Sequence, residues 1–191
     1  MTKVTLNPVF EQVSGALGDL VFREVNGKTI LSRKADMSNV EPTLAQTNHR
    51  ERFRQAAAYG KFAIANQTTR EIYDTISDQR GIPAYALTVG DFLNLPSVEQ
   101  VDTTAYHGQI GDNIAIITTD DIGVVNVHVT ITDDSNNAVL QSGNAVEYPV
   151  NTGHWNYGAS VAVPAGTAVT VKVIATDRPG GIAISINPRT L

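Results

Sequence analysis

Five runs in the second half of the chain alternate apolar and polar side chains with a period of two. They are residues 113–118 (Asn-Ile-Ala-Ile-Ile-Thr), 125–131 (Val-Asn-Val-His-Val-Thr-Ile), 161–163 (Val-Ala-Val), 169–174 (Val-Thr-Val-Lys-Val-Ile) and 182–186 (Ile-Ala-Ile-Ser-Ile). That period sends successive side chains to opposite faces of a strand, so one face is buried and the other is wet. Turn-forming clusters lie between the runs: Asp133-Asp134-Ser135-Asn136-Asn137, Pro164-Ala165-Gly166-Thr167 and Arg178-Pro179-Gly180-Gly181. Short strands at this spacing form a sandwich or a barrel, and roughly seven of them in about 95 residues favour the sandwich.

The first half reads differently. Residues 20–25 (Leu-Val-Phe-Arg-Glu-Val) and 28–32 (Lys-Thr-Ile-Leu-Ser) flank Asn26-Gly27. Asn-Gly between two strand-like runs signals a two-residue hairpin, because both turn positions require positive φ. Such a loop sets Val25 opposite Lys28, Phe22 opposite Leu31 and Arg23 opposite Ile30. The apolar face of Leu20, Phe22 and Leu31 must then pack on something, since an isolated hairpin is marginal in water. Helical signals follow. Thr43 with Gln46 reads as a capping box, with Leu44, Phe53, Ala57, Gly60 and Ile64 recurring near helical spacing behind it. Thr68 with Glu71 repeats the capping signature, and Gly81 stands where a helix C-cap belongs. A third short helix is predicted after Pro83, with Tyr85, Val89 and Phe92 on one face. Pro96 disfavours helix at Leu95, which places a boundary there. The expected fold is α+β. Residues 1–95 form a hairpin with short helices that the hairpin covers, and residues 97–191 form an antiparallel β-sandwich.

Bulk composition removes several functions. There is no cysteine, so disulfides, thiolate catalysis and zinc–thiolate sites are excluded. With 42% hydrophobic and 17% charged residues the chain can bury a core. Residues 1–95 hold 11 Lys/Arg against 10 Asp/Glu, and residues 96–191 hold 3 against 9. The acidic half argues against nucleic-acid binding there, because phosphate contacts need clustered cations. The split also suggests attraction between one copy's first half and another's second. No apolar stretch approaches the length of a membrane span, so no membrane insertion is expected. The first residues lack the basic start and apolar run of a signal peptide. The location expected is cytoplasmic, or extracellular by a non-classical route, or within a surface or phage-like assembly.

Residues 118–127 (Thr-Thr-Asp-Asp-Ile-Gly-Val-Val-Asn-Val), Trp155, residues 164–171 (Pro-Ala-Gly-Thr-Ala-Val-Thr-Val) and residues 175–180 (Ala-Thr-Asp-Arg-Pro-Gly) resemble, in order and spacing, bacterial immunoglobulin-like (Ig-like) modules. The family pattern is an A-x-D-D-x-G-V turn, a later tryptophan, a P-x-G-T-x-x-v-T-v hairpin and a closing A-x-D-x-x-G-N. Gly181 stands where the family often has Asn. The resemblance covers about half the chain. It implies an Ig-like sandwich with Trp155 in its core, and a spacer, adhesion or assembly role rather than an enzyme. That is an association with fold alone. Gly15-Ala16-Leu17-Gly18, the pair Arg33-Lys34, and Gln46 with Arg50 and Phe53 resemble a module of uncharacterised bacterial proteins. No biochemistry follows from it.

Catalytic patterns are missing. His49, His107, His128 and His154 are scattered, with no metal-binding spacing, and no nucleophile elbow or phosphate loop is present. The one metal candidate is Asp120, Asp121 and Asp177. If both turns fall at one end of the sandwich, their carboxylates and nearby carbonyls suit Ca²⁺. The competing reading is that each Asp accepts hydrogen bonds from its own turn. No other cofactor is expected. Trp155 and Tyr157 lie one residue apart on a predicted strand, and so share a face. That face is either a glycan platform or core packing. Arg50, Arg52, Arg54 and Lys61, with Glu51 among them, read as a solvated or intersubunit helix face. The expected function is a non-enzymatic structural subunit that assembles with itself, as a homo-oligomer or filament, through its N-terminal module. The assembly residues are Val4, Leu6, Val9, Phe10, Phe22, Leu31, Arg50 and Arg54. The stretch from Val4 to Val13 is apolar without helix signals and suits strand addition to a neighbour's sheet. The alternatives are a monomeric adhesion module with a glycan or protein ligand, and a phage-tail-like accessory structural protein.

Overall fold

A computed structural model describes residues 2–3, 14–36 and 40–191. The chain forms two compact units, residues 1–46 and 47–191.

The first unit contains one antiparallel sheet. Its strands are β1 (Thr2–Lys3), β2 (Gly15–Leu17), β3 (Leu20–Val25) and β4 (Lys28–Arg33), in the order β1-β4-β3-β2. Asn26 (φ 52°) and Gly27 (φ 70°) both take the positive φ that a two-residue turn needs. Val25 pairs with Lys28, and Phe22 with Leu31. Val4, Leu6, Val9 and Phe10 lie outside the described residues.

The second unit carries most of α1 (Leu44–Ala65), together with α2 (Gln67–Arg80) and α3 (Ala84–Leu93). The Thr43 N–H donates to Gln46 Oε1 at 3.1 Å, and the Gln46 N–H donates to Thr43 Oγ1 at 3.3 Å, a reciprocal capping box. The expected cap at Thr68 is corrected. α2 begins two residues earlier, at Gln67, and its cap is Asn66, whose Oδ1 accepts from the Thr69 N–H at 3.0 Å. Gly81 ends α2 at φ 67°.

The buried helix faces also differ from expectation. α1 buries Ala56, Gly60 and Ala63, while Leu44 and Phe53 are exposed. The reason is proximity to α3. A Cβ at Gly60 would lie 2.8 Å from Thr88 Oγ1 and 2.9 Å from Tyr85 Cε2, so only small residues fit. α3 buries Leu87, Thr88 and Asp91 instead of Tyr85, Val89 and Phe92. A hydropathy pattern phases a helix by its apolar residues, and this one turns a carboxylate inward.

The sandwich follows with β5 (Ser97–Asp102), β6 (Asn113–Thr119), β7 (Val124–Asp133), β8 (Val139–Asn144), β9 (Val146–Glu147), β10 (His154–Gly158), β11 (Ala168–Asp177) and β12 (Ile182–Thr190). Two four-stranded antiparallel sheets, β5-β6-β10-β9 and β12-β11-β7-β8, share one core. Ile114, Ile116, Trp155 and Tyr157 face Val127, Val129, Ile131, Val169, Val171 and Val173 across it. The class is thus α+β with sandwich-like antiparallel sheets. Residues 161–163, expected as a strand, are a loop. Val163 is still buried, and its N–H donates to the Gly108 carbonyl at 2.8 Å rather than to a ladder.

The helices join the sandwich through the turn at 120–123. Ile122 packs on Ala63, Tyr73 and Leu87. Arg80 donates to the Asp121 carbonyl at 2.7 Å, and Asn94 donates to the Asp121 carboxylate. These contacts put the helices in one compact unit with the sandwich, whereas the sequence placed the division at Pro96. The charge asymmetry shifts accordingly. Residues 1–46 hold five Lys/Arg and five Asp/Glu, and residues 47–191 hold nine and fourteen. Among the described residues no helix is long and apolar enough to cross a membrane.

Candidate functional site

The carboxylates of Asp120 and Asp177 come close enough to influence each other, and both act on a third, Asp91. Turn chemistry fixes the first two. Asp120 Oδ2 accepts from the N–H groups of Ile122 (3.0 Å) and Gly123 (2.7 Å). Asp177 Oδ1 accepts from the Gly181 N–H. A Cβ at position 181 would lie 2.4 Å from Asp177 Oδ2 and 2.8 Å from Leu95 Cδ2, so only glycine fits where the chain passes Asp177 and Leu95. Asp121 is turned to Asn94 instead.

Asp91 is the residue that sequence reasoning missed. It is 1% exposed. The phenol of Tyr73 donates to its Oδ2, and Tyr59 lies 2.9 Å from the Tyr73 oxygen, forming a chain of two phenols and a carboxylate inside the helical layer. Burial raises the Asp91 pKa to about 7. The negative charges of Asp120 and Asp177 push the same way, while the Tyr73 hydrogen bond and Arg178 oppose them. Burial also pushes the Tyr73 phenol up. A signal existed: Asp91 is the one charged residue of α3, between Gly90 and Phe92.

One oxygen on each of Asp91, Asp120 and Asp177 is buried without a hydrogen-bond partner. The three do not converge: among the described residues no group of three or more His, Asp or Glu side chains is placed to hold a metal ion. Chemically, the cluster can store a proton near neutral pH. Asp91 borders a cleft of ≈ 210 Å³ beside Arg80, Leu87 and Ile122. Its hydrogen-bond partner is the Tyr73 phenol. A second cleft of ≈ 300 Å³ runs past Asp120, Asp121 and Glu147. There Glu147 Oε1 accepts from the N–H groups of Thr152 (3.1 Å) and Gly153 (2.9 Å), so this carboxylate too fastens a loop.

Trp155 and Tyr157 do share a face, but it is the inner one, so they form no open platform. The reason is that both polar ends are satisfied inside. Trp155 Nε1 donates to Thr118 Oγ1 at 3.0 Å, and the Tyr157 hydroxyl donates to Gln141 Oε1 at 3.4 Å. The described assembly candidates belong to the first hairpin and to α1. Phe22 and Leu31 are half-buried partners in the first sheet. Arg50 is exposed, and Arg54 is held by Glu51 at 2.7 Å. Arg52 caps α3 by donating to the Leu93 carbonyl at 2.8 Å.

No protein-family model and no curated protein matches the chain. Among solved structures, CopC from Methylosinus trichosporium OB3b matches with 14% identity and a TM-score of 0.38, over 51% of this chain and 91% of that one. A likeness at that level carries no argument about function.

Proposed function

We propose that this chain is a non-enzymatic structural subunit that associates with copies of itself through its N-terminal unit. One observation carries the reading: none of the described residues in 14–36 and 40–46 is buried. Leu17 is 72% exposed, and Leu20 and Val25 are also open. A small sheet whose described residues are at best half-buried gains little from burial to offset its ordering entropy. Pairing with a second copy supplies the missing cover, and identical subunits do this in closed or open arrays.

The second unit offers a further surface. β12 is an edge strand whose outward residues are Ile182, Ile184 and Ile186, the last 66% exposed. Residues 182–188 carry no charge, the usual guard against edge-to-edge pairing. The charge argument for head-to-tail attraction weakens, because the first unit is neutral by formal count. The Ig-like reading of the sandwich is supported by its two antiparallel sheets and its core Trp155.

The test is size-exclusion chromatography with light scattering, followed by negative-stain microscopy across a concentration series. Oligomers or filaments support the proposal. A concentration-independent monomer of 20.5 kDa sinks it.

A further inference from the structure

The outer face of the sheet β5-β6-β10-β9 holds a trough of ≈ 390 Å³. It is built from two neighbouring cross-strand rows. One row runs Gln100, Ile117, His154 and Tyr148; the other runs Asp102, Ala115 and Asn156. The small Ala115 between Asp102 and Asn156 lowers the floor, and Ile117 makes that floor apolar. Tyr148 closes one end and is 74% exposed. The volume falls within the range of small-molecule sites, about 300–1,000 Å³.

Four polar groups around the floor have unused hydrogen-bonding capacity. Asp102 Oδ1 takes the Thr104 N–H and hydroxyl, leaving Oδ2. These bonds hold the carboxyl below its ordinary range, so it stays an acceptor. Asn156 Oδ1 accepts from Asn113 at 3.0 Å, leaving its amide N–H groups. The Gln100 amide and the His154 imidazole make no side-chain hydrogen bond within the described residues.

We infer that this trough is a saccharide-binding subsite. A pyranose ring has an apolar C–H face that suits a tyrosine ring, and a rim of hydroxyls that both donate and accept. Asp102 accepts from the hydroxyls, and the Asn156 and Gln100 amides supply both donors and acceptors. Other ligand classes fit less well. The free carboxylate of Asp102 repels phosphate and nucleic acid, and four polar groups with spare capacity disfavour a wholly apolar guest. This inference is independent of self-assembly. The Trp155–Tyr157 pair expected from the sequence is in the core, and the ring at the surface is Tyr148.

Trp155 turns its indole into the core, so binding is read by calorimetry. The full chain is titrated calorimetrically with soluble cello-, xylo-, malto- and chito-oligosaccharides, and a glycan array extends the search. The expected result is saturable binding of at least one class. Tyr148→Ala and Asp102→Asn are each expected to weaken it by about ten-fold or more, while Tyr148→Ala leaves the unfolding temperature unchanged. No saturable binding across panel and array overturns the inference. So does binding that survives both substitutions.

Discussion

Tyr73 donates its phenolic hydrogen bond to Asp91 in the interior of the helical layer, and the two residues are 18 positions apart on different helices. The bond fixes the packing of α2 on α3 and gives a carboxylate its main support away from water. Tyr59, Asp120, Asp177 and Arg178 complete its electrostatic surroundings.

Stability is expected to fall as pH rises through neutrality. The Asp91 pKa is about 7 when folded, against an ordinary value of 3.8. Between these values the folded chain holds a proton that the unfolded chain has released. The stabilising contribution is therefore complete below the unfolded value and is lost as pH rises through about 7. Asp177, also raised by burial, has the same sign. Thermal unfolding at pH 5 and pH 8 checks this. Asp91→Asn should flatten the slope and raise stability at pH 8 by up to a few kcal/mol. Equal slopes for the two proteins would refute the assignment.

Tyr73→Phe removes the donor and also leaves the Tyr59 hydroxyl without its partner. The expected loss is about 1–3 kcal/mol by urea unfolding, larger at pH 8 than at pH 5, because a charged acceptor loses more. With Asp91→Asn in the background the loss should shrink, as coupled groups are not additive. Full additivity would count against the pair.

Gly60→Leu should cost at least about 1–3 kcal/mol by forcing α1 away from Thr88 and Tyr85. Adding Tyr85→Ala should recover part of that loss. An unchanged urea midpoint for the single variant would show that the helices are not packed so closely.

Association should be sensitive to charge on the open apolar surfaces. Leu17→Glu should lower the oligomer fraction by light scattering while the circular dichroism of the second unit's sandwich is retained, because Leu17 is 72% exposed in the single chain. Ile184→Lys tests the β12 edge in the same way. Retention of the wild-type mass distribution in both variants would exclude these surfaces as contacts.

The sandwich was legible because period-two alternation and turn residues are local properties. The runs at 113–118, 125–131, 169–174 and 182–186 became β6, β7, β11 and β12, and the Asn-Gly turn set the first sheet's hairpin register. The run at 161–163 was too short and too close to Pro164 to keep a ladder. The phase of the helices was not legible. The buried faces of α1 and α3 depend on how closely Gly60 lets them approach, and on a carboxylate that tertiary packing turns inward. The surface trough likewise exists only because three strands align Asp102, Ala115 and Asn156, the first and last of them far apart in the sequence. By itself the sequence determined the local periods, the turns and the absence of thiol chemistry. Tertiary structure alone decided which polar groups meet, because hydrophobic patterning specifies a side of an element and not its neighbour across space.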